Sequence, residues 1–236
     1  MRALVMVAVE AELAALTAAL GRPADPGSLA AVTFGPVSGV EVATPAGSLV
    51  LVAGGVGTSA AAAATSAVLA QGSFDAVLSV GIAGGFSGHA IGSVIVAPRS
   101  VAADLGCQVA DRFLPLSEMG FGADSYAADP RWLSLATARA QSTRLVVQVG
   151  DIGTVSTITG TAAGAATHAG RHSCAGEAME GFAVAAAASL FGVPFLEVRT
   201  VSNAVGPRDT SQWRIGDALN ALAAVVAAIF REPLPW

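Results

Sequence analysis

At 236 residues, 53% hydrophobic and 12% charged, the chain is long enough for a sizeable core, and no Ser-, Pro- or charge-rich linker divides it, so one domain over 1–236 is expected. A net charge of −5 without a basic stripe argues against a nucleic-acid partner. There is no lysine, which excludes a Schiff-base or pyridoxal site and a P-loop, and two isolated cysteines with three scattered histidines give no zinc spacing.

Residues 3–9 are apolar throughout and read as a central strand. The start resembles a secretory signal, but Glu10 and Glu12 interrupt it, and Leu13, Leu16 and Leu20 continue as one helical face. A loop is expected over 21–28, then short strands at 31–34 and 40–44. Residues 49–53 form a buried strand that runs into Gly54-Gly55-Val56-Gly57-Thr58-Ser59 and an Ala-rich helix over 59–71. Residues 75–80 repeat the pattern, ending in Gly81-Ile82-Ala83-Gly84-Gly85.

A strand over 92–101 precedes an irregular stretch, 102–126, that reads as surface or an intersubunit arm. A helix over 130–140, strands at 145–149 and 152–158, a helix over 162–169 and a short strand at 175–179 come next. The Ala-rich helix over 181–191 is stopped by Gly192-Val193-Pro194. Residues 195–201 are an apolar run that carries Arg199 inside it; the run breaks at Ser202-Asn203 into a Gly-Pro loop before the last helix, 213–230.

Strands alternating with helices indicate an α/β fold with a mixed, largely parallel sheet flanked by helices. No stretch of about 18 uninterrupted apolar residues marks a membrane span. Low surface charge and small helix side chains point to a homodimer or larger homo-oligomer. Cys107 and Cys174 read as small buried residues, consistent with a reduced cytoplasm.

In such sheets ligands bind at the carboxyl ends of strands. Gly55-Val56-Gly57-Thr58-Ser59-Ala60 with Asp75 mimics a dinucleotide fingerprint, but Asp75 precedes a strand instead of ending one. Backbone amides of Ala83 and Gly84 are free of bulky neighbours and suit a flat ligand. Either Glu10 or Glu12 complements the first helix dipole, which leaves the other for chemistry. Glu180, between a short strand and an apolar helix, is costly to bury without partners and suits two sugar hydroxyls.

Taken together, Glu12, SVGIAGG, EAMEGFAVA and VRTVSN resemble the nucleoside phosphorylase and nucleosidase superfamily over nearly the whole chain, and most closely its nucleosidase branch. SNAVGPRDTSQWRI and the short ADLG at 103–106 are similar to the futalosine hydrolase family within that branch. The resemblance implies that Glu12 activates water, that Met179 and Glu180 hold ribose, and that Ser202 and Asn203 lie at the purine. Backbone near Ala83 and Gly84 and residues of 153–160 would line the base pocket. It implies no metal or organic cofactor, and a nucleoside and water as the small-molecule partners.

Two departures from adenine-cleaving relatives are Asn203 in place of aspartate and Ile82 in place of a small polar residue. Hypoxanthine offers two acceptors, N7 and O6, on the edge where adenine offers an acceptor and a donor. An asparagine amide donates there, so Asn203 favours a 6-oxopurine. Related phosphorylases carry an arginine before the second glycine cluster; Leu78, Ser79 and Val80 stand there, which favours water over phosphate. Arg208, Ser211, Gln212 and Arg214 are the candidates to meet the carboxylate at the 5′ end of futalosine. The expected activity is therefore hydrolytic release of hypoxanthine from futalosine. The alternatives are cleavage of another purine nucleoside, such as aminofutalosine, methylthioadenosine or inosine, or binding without catalysis.

Overall fold

The computed structural model describes residues 1–21 and 29–236; all but the first residue of the loop expected over 21–28 lies outside the described residues. In chain order the elements are β1 (Arg2–Val7), α1 (Glu10–Leu20), β2 (Leu29–Phe34), β3 (Val37–Thr44), β4 (Gly47–Ala53), α2 (Thr58–Leu69) and β5 (Ala76–Gly85). Then come β6 (Val94–Ala97), β7 (Arg99–Ala102), β8 (Gly106–Gln108), β9 (Phe113–Pro115), α3 (Leu116–Met119), β10 (Ser125–Ala127) and α4 (Pro130–Gln141). The remainder is β11 (Val147–Val149), β12 (Ile152–Thr154), α5 (Ala162–His172), β13 (Gly176–Ala178), α6 (Gly181–Leu190), β14 (Phe195–Ala204) and α7 (Ile215–Phe230).

These strands build one large mixed sheet, apart from the separate β8–β9 hairpin. Its centre is parallel: β5 pairs with β1 on one side and with β14 on the other, and β1 pairs with β4. Strands β1, β4 and β5 are largely apolar on both faces because helices cover both, whereas β14 also buries Glu197 and Arg199. On one face Leu16 of α1 packs with Leu222, Val225 and Ile229 of α7, all fully buried. On the other, Val68 of α2 and Val184 and Ala188 of α6 cover Leu4, Val50 and Val77. The alanines of α2 and α6 let two helices share that face. No described helix is long and apolar enough to cross a membrane.

Three expectations change. The strand expected over 92–101 is two strands, β6 and β7, separated at Pro98. Proline has no N–H for the ladder, and the chain passes there from pairing with β14 and β11 to pairing with β12 and β10. The arm over 102–126 holds the β8–β9 hairpin, the short α3 and β10, and Cys107 on it is exposed, not buried. Cys174 is buried, and burial pushes its thiol up to about 12, so it stays protonated and inert.

The third change shapes the site. The glycines at 81–85 are the end of β5, not a loop after it: Gly81 to Ala83 pair with β14, and Gly84 and Gly85 also pair with β13. Glycine is there because nothing larger fits. A Cβ at Gly81 would lie 2.6 Å from both an Arg199 guanidinium nitrogen and a Glu12 carboxylate oxygen.

Candidate active site

Glu12 is carried inward by the first turn of α1 and is 2% exposed, whereas Glu10 faces solvent. Its Oε2 accepts from the backbone N–H groups of Ala8 (2.9 Å) and Val9 (3.2 Å), and its Oε1 from that of Ile82 (2.8 Å). One oxygen thus caps the helix and the other reaches β5. A carboxylate has roughly four acceptor directions; three are filled, which fixes the group and leaves one open.

Glu180 stands at the start of α6, buried. Its Oε1 accepts from Gly57 N–H (3.2 Å), at a φ of +91° that favours glycine, and its Oε2 faces Arg199 Nη1 at 3.4 Å. This N–H of the first glycine cluster is therefore engaged by a protein carboxylate. Two acceptor directions remain on Glu180, enough for a pair of hydroxyls. Met179 beside it is only partly buried.

Arg199 joins Glu180 to a further buried carboxylate, Glu197. It is 1% exposed in β14, and Nε donates to Glu197 Oε1 (2.8 Å) while Nη2 donates to Ser79 Oγ (3.0 Å). Burial opposes its charge, but Glu197, Glu180 and Glu12 outweigh burial and hold its pKa above the ordinary value. Burial pushes the Glu197 carboxyl up, against the pull of Arg199 and Ser100.

Asn203 of β14 lies opposite Gly84, three residues beyond Gly81 along β5 and about 10 Å from it at strand spacing. A bulge between Val201 and Asn203 inserts Ser202 as the extra residue and re-aims the end of the strand. Ser202 is 2% exposed, and its hydroxyl is within bonding distance of Ala83 O (3.2 Å) and Asn203 Oδ1 (2.8 Å). Asn203 Nδ2 donates to Ala204 O (2.9 Å). With Oδ1 held by the hydroxyl, the second N–H of the amide is free to donate outward.

Asn203 lines a cavity of about 80 Å³ together with Gly84, Ile158, Thr159, Glu177, Arg208 and Trp213 among others. Thr159 is pinned by buried Glu177, which accepts from its N–H (2.8 Å) and its hydroxyl (2.5 Å). His168 Nδ1 lies 3.1 Å from the same hydroxyl and 3.3 Å from Glu177. The hydroxyl proton is spent on Glu177, so His168 Nδ1 is the donor. Ala83 is buried within β5, leaving Gly84 as the backbone exposed to this cavity.

Of the four residues expected at the 5′ end, Arg208 alone lines the cavity, with its guanidinium 5.4 Å over the Trp213 ring. Asp209 caps a 3₁₀ turn, Thr210–Gln212, and takes Ser211 Oγ (2.6 Å) and Gln212 Nε2 (2.7 Å). Arg214 pairs with Asp217 at 2.7 Å. An aspartate before Thr-Ser-Gln is a helix-start signal, and it fits this cap. A wider groove of about 630 Å³ runs along the arm, but its arginines are engaged: Arg99 by Asp151, Arg112 by Glu118, and Arg171 by Gln108.

Glu177, Glu197, Ser79 and Ser100 were not singled out from the sequence. The available signal was Glu197 and Arg199 at alternate positions of a buried strand, which places both on one face and requires them to be paired.

The sequence pattern of the phosphorylase superfamily matches residues 2–232. A futalosine hydrolase of Streptomyces coelicolor is 46% identical over 208 residues, covering 82% of this chain and 86% of that one. This chain belongs to the phosphorylase superfamily, in its futalosine hydrolase family. Solved structures of that superfamily share the fold. The Helicobacter pylori futalosine hydrolase has a TM-score of 0.84 at 16% identity, covering 97% of both chains. A 5′-methylthioadenosine/S-adenosylhomocysteine nucleosidase from Neisseria meningitidis, in complex with methylthio-immucillin-A, has a TM-score of 0.83 at 22% identity, covering 98% of both. In this family member the long β5 and β14 are the spine of the site, with Glu12, Glu180 and Arg199 at one level and Asn203 at the next.

Proposed function

We propose that this chain hydrolyses the N-glycosidic bond of futalosine, releasing hypoxanthine and leaving dehypoxanthinyl futalosine, a step of menaquinone biosynthesis by the futalosine route. What carries the reading is the alignment of Glu12, Glu180 and Asn203 along β5 and β14, in a chain 46% identical to a futalosine hydrolase. As the bond from C1′ to N9 breaks, positive charge grows on the ribose and negative charge on the purine. Glu180 accepts the two ribose hydroxyls on its open directions, beside Met179. Water attacks C1′, and Glu12 takes its proton on the one direction its backbone partners leave. The bonding pair departs with the base, where the free N–H of Asn203 donates at N7 and O6. The proton taken by Glu12 is returned through solvent to the leaving hypoxanthine.

Arg199 supports water over phosphate. Its charge is already shared by Glu197 and Glu180, and Leu78, Ser79 and Val80 add no cation. The chemistry needs neither metal nor organic cofactor. We place it in the cytoplasm as a homodimer or larger; Phe121 and Leu190, 77% and 80% exposed, are apolar groups a second copy would cover. The test is base release from futalosine, aminofutalosine, inosine and methylthioadenosine: futalosine gives the highest kcat/KM, and a preference for a 6-aminopurine refutes the reading.

Arg208 reads the 5′ carboxylate. It lines the Asn203 cavity, and Asp209 is occupied by its own turn. Arg208→Ala raises KM for futalosine by roughly 10–100-fold, the worth of a charge-assisted hydrogen bond. The KM for inosine, which lacks the carboxylate, stays within about twofold. Equal effects on both substrates in steady-state assays contradict this role.

A further inference from the structure

Glu197 is fully buried in β14 and takes no part in the steps above. A buried carboxylate is costly unless it is paired, and this site already holds two others. Room for it is made deliberately. A Cβ at Gly181, the first residue of α6, would overlap both carboxylate oxygens of Glu197. Alanine is the better helix former, so local propensity does not explain the glycine. Ser100, fully buried in β7, donates its hydroxyl to Glu197 Oε2. Three elements therefore converge on one carboxylate, and its other oxygen takes Arg199 Nε.

The guanidinium is a rigid planar fork. With Nε on Glu197 and Nη2 on Ser79, its plane is fixed, and Nη1 is directed at Glu180 and at the space over Gly81 that Glu12 borders. We propose that Glu197 is a positioning residue, which sets the rotation of Arg199 and through it the alignment of Glu180 on the sugar. The inference rests on the nucleosidase reading above.

The experiment compares wild type, Glu197→Ala, Glu197→Gln and Gly181→Ala on futalosine, with folding followed by circular dichroism. Misplacing a reacting geometry by about 1 Å costs on the order of 100-fold in rate. Accordingly, Glu197→Ala lowers kcat by roughly 10–100-fold with KM changed less than about threefold. Glutamine keeps an acceptor for Arg199 Nε and a donor for Ser100, and recovers most of that loss. Gly181→Ala removes no polar group, yet its methyl displaces the carboxylate, so kcat falls as in Glu197→Ala. Gly181→Ala and Glu197→Gln keep the test decisive if the alanine at 197 fails to fold. Folded Gly181→Ala with wild-type kcat overturns the proposal, as does a glutamine variant no better than alanine. Wild type that releases no hypoxanthine refutes the nucleosidase reading itself; active wild type with equally active variants refutes the positioning role alone.

Discussion

Glu12→Gln lowers kcat on futalosine by about 10²–10⁴-fold, the range expected for loss of a general base, while the dissociation constant for the nucleoside stays within a few-fold. The geometry makes this variant sharp. Glu12 accepts three backbone N–H groups on its two oxygens. A glutamine of the same shape still serves one end, but its amide nitrogen meets an N–H at the other. That mismatch costs about 1–3 kcal/mol of stability and removes the anion that accepts the water proton. Glu180 and Asn203 are untouched, so calorimetric titration with futalosine still shows binding. A variant that keeps wild-type turnover removes Glu12 from the chemistry.

Asn203→Asp inverts the base preference. The asparagine Nδ2 donates to Ala204 O at 2.9 Å, and its Oδ1 receives the Ser202 hydroxyl. An ionised aspartate would set an oxygen against the Ala204 carbonyl and another acceptor against O6 of hypoxanthine. Each unpaired or repelling polar group costs about 1–3 kcal/mol. The ratio of kcat/KM for futalosine over aminofutalosine therefore falls by at least about 10–100-fold, since that energy is a difference between two otherwise identical substrates. The 6-amino group gives an aspartate a donor to accept, which drives the same ratio further down. An unchanged ratio shows that position 6 is read by another group.

Much of this site was legible because it sits where apolar runs end. Glu12, Glu180 and Asn203 come at or just after strand ends, and a polar side chain there in so apolar a chain stands out. The α1 face of Leu13, Leu16 and Leu20 was legible for the same reason of periodicity, and all three pack in the core with α7. What was hidden depends on partners far away in the chain. Arg199 meets Glu180 at a separation of 19 residues and Ser79 at 120, and Glu197 meets Ser100 at 97. Nothing local distinguishes those serines from others. The glycines at 81–85 read as turn formers, whereas on the strand they answer close approaches: Arg199 and Glu12 at Gly81, Val205 at Gly84, and His89 and Val201 at Gly85. Ser211, Gln212 and Arg214 are engaged within the chain by Asp209 and Asp217, partners that the sequence alone does not reveal.

The most direct measurement is incubation of the purified protein with futalosine in phosphate-free buffer, with products separated by chromatography and mass. Hydrolysis predicts equal amounts of hypoxanthine and of the sugar product bearing a 1′-hydroxyl, at a rate that added phosphate leaves unchanged. Base release that requires phosphate and yields a sugar 1-phosphate, or tight binding with no release, contradicts it.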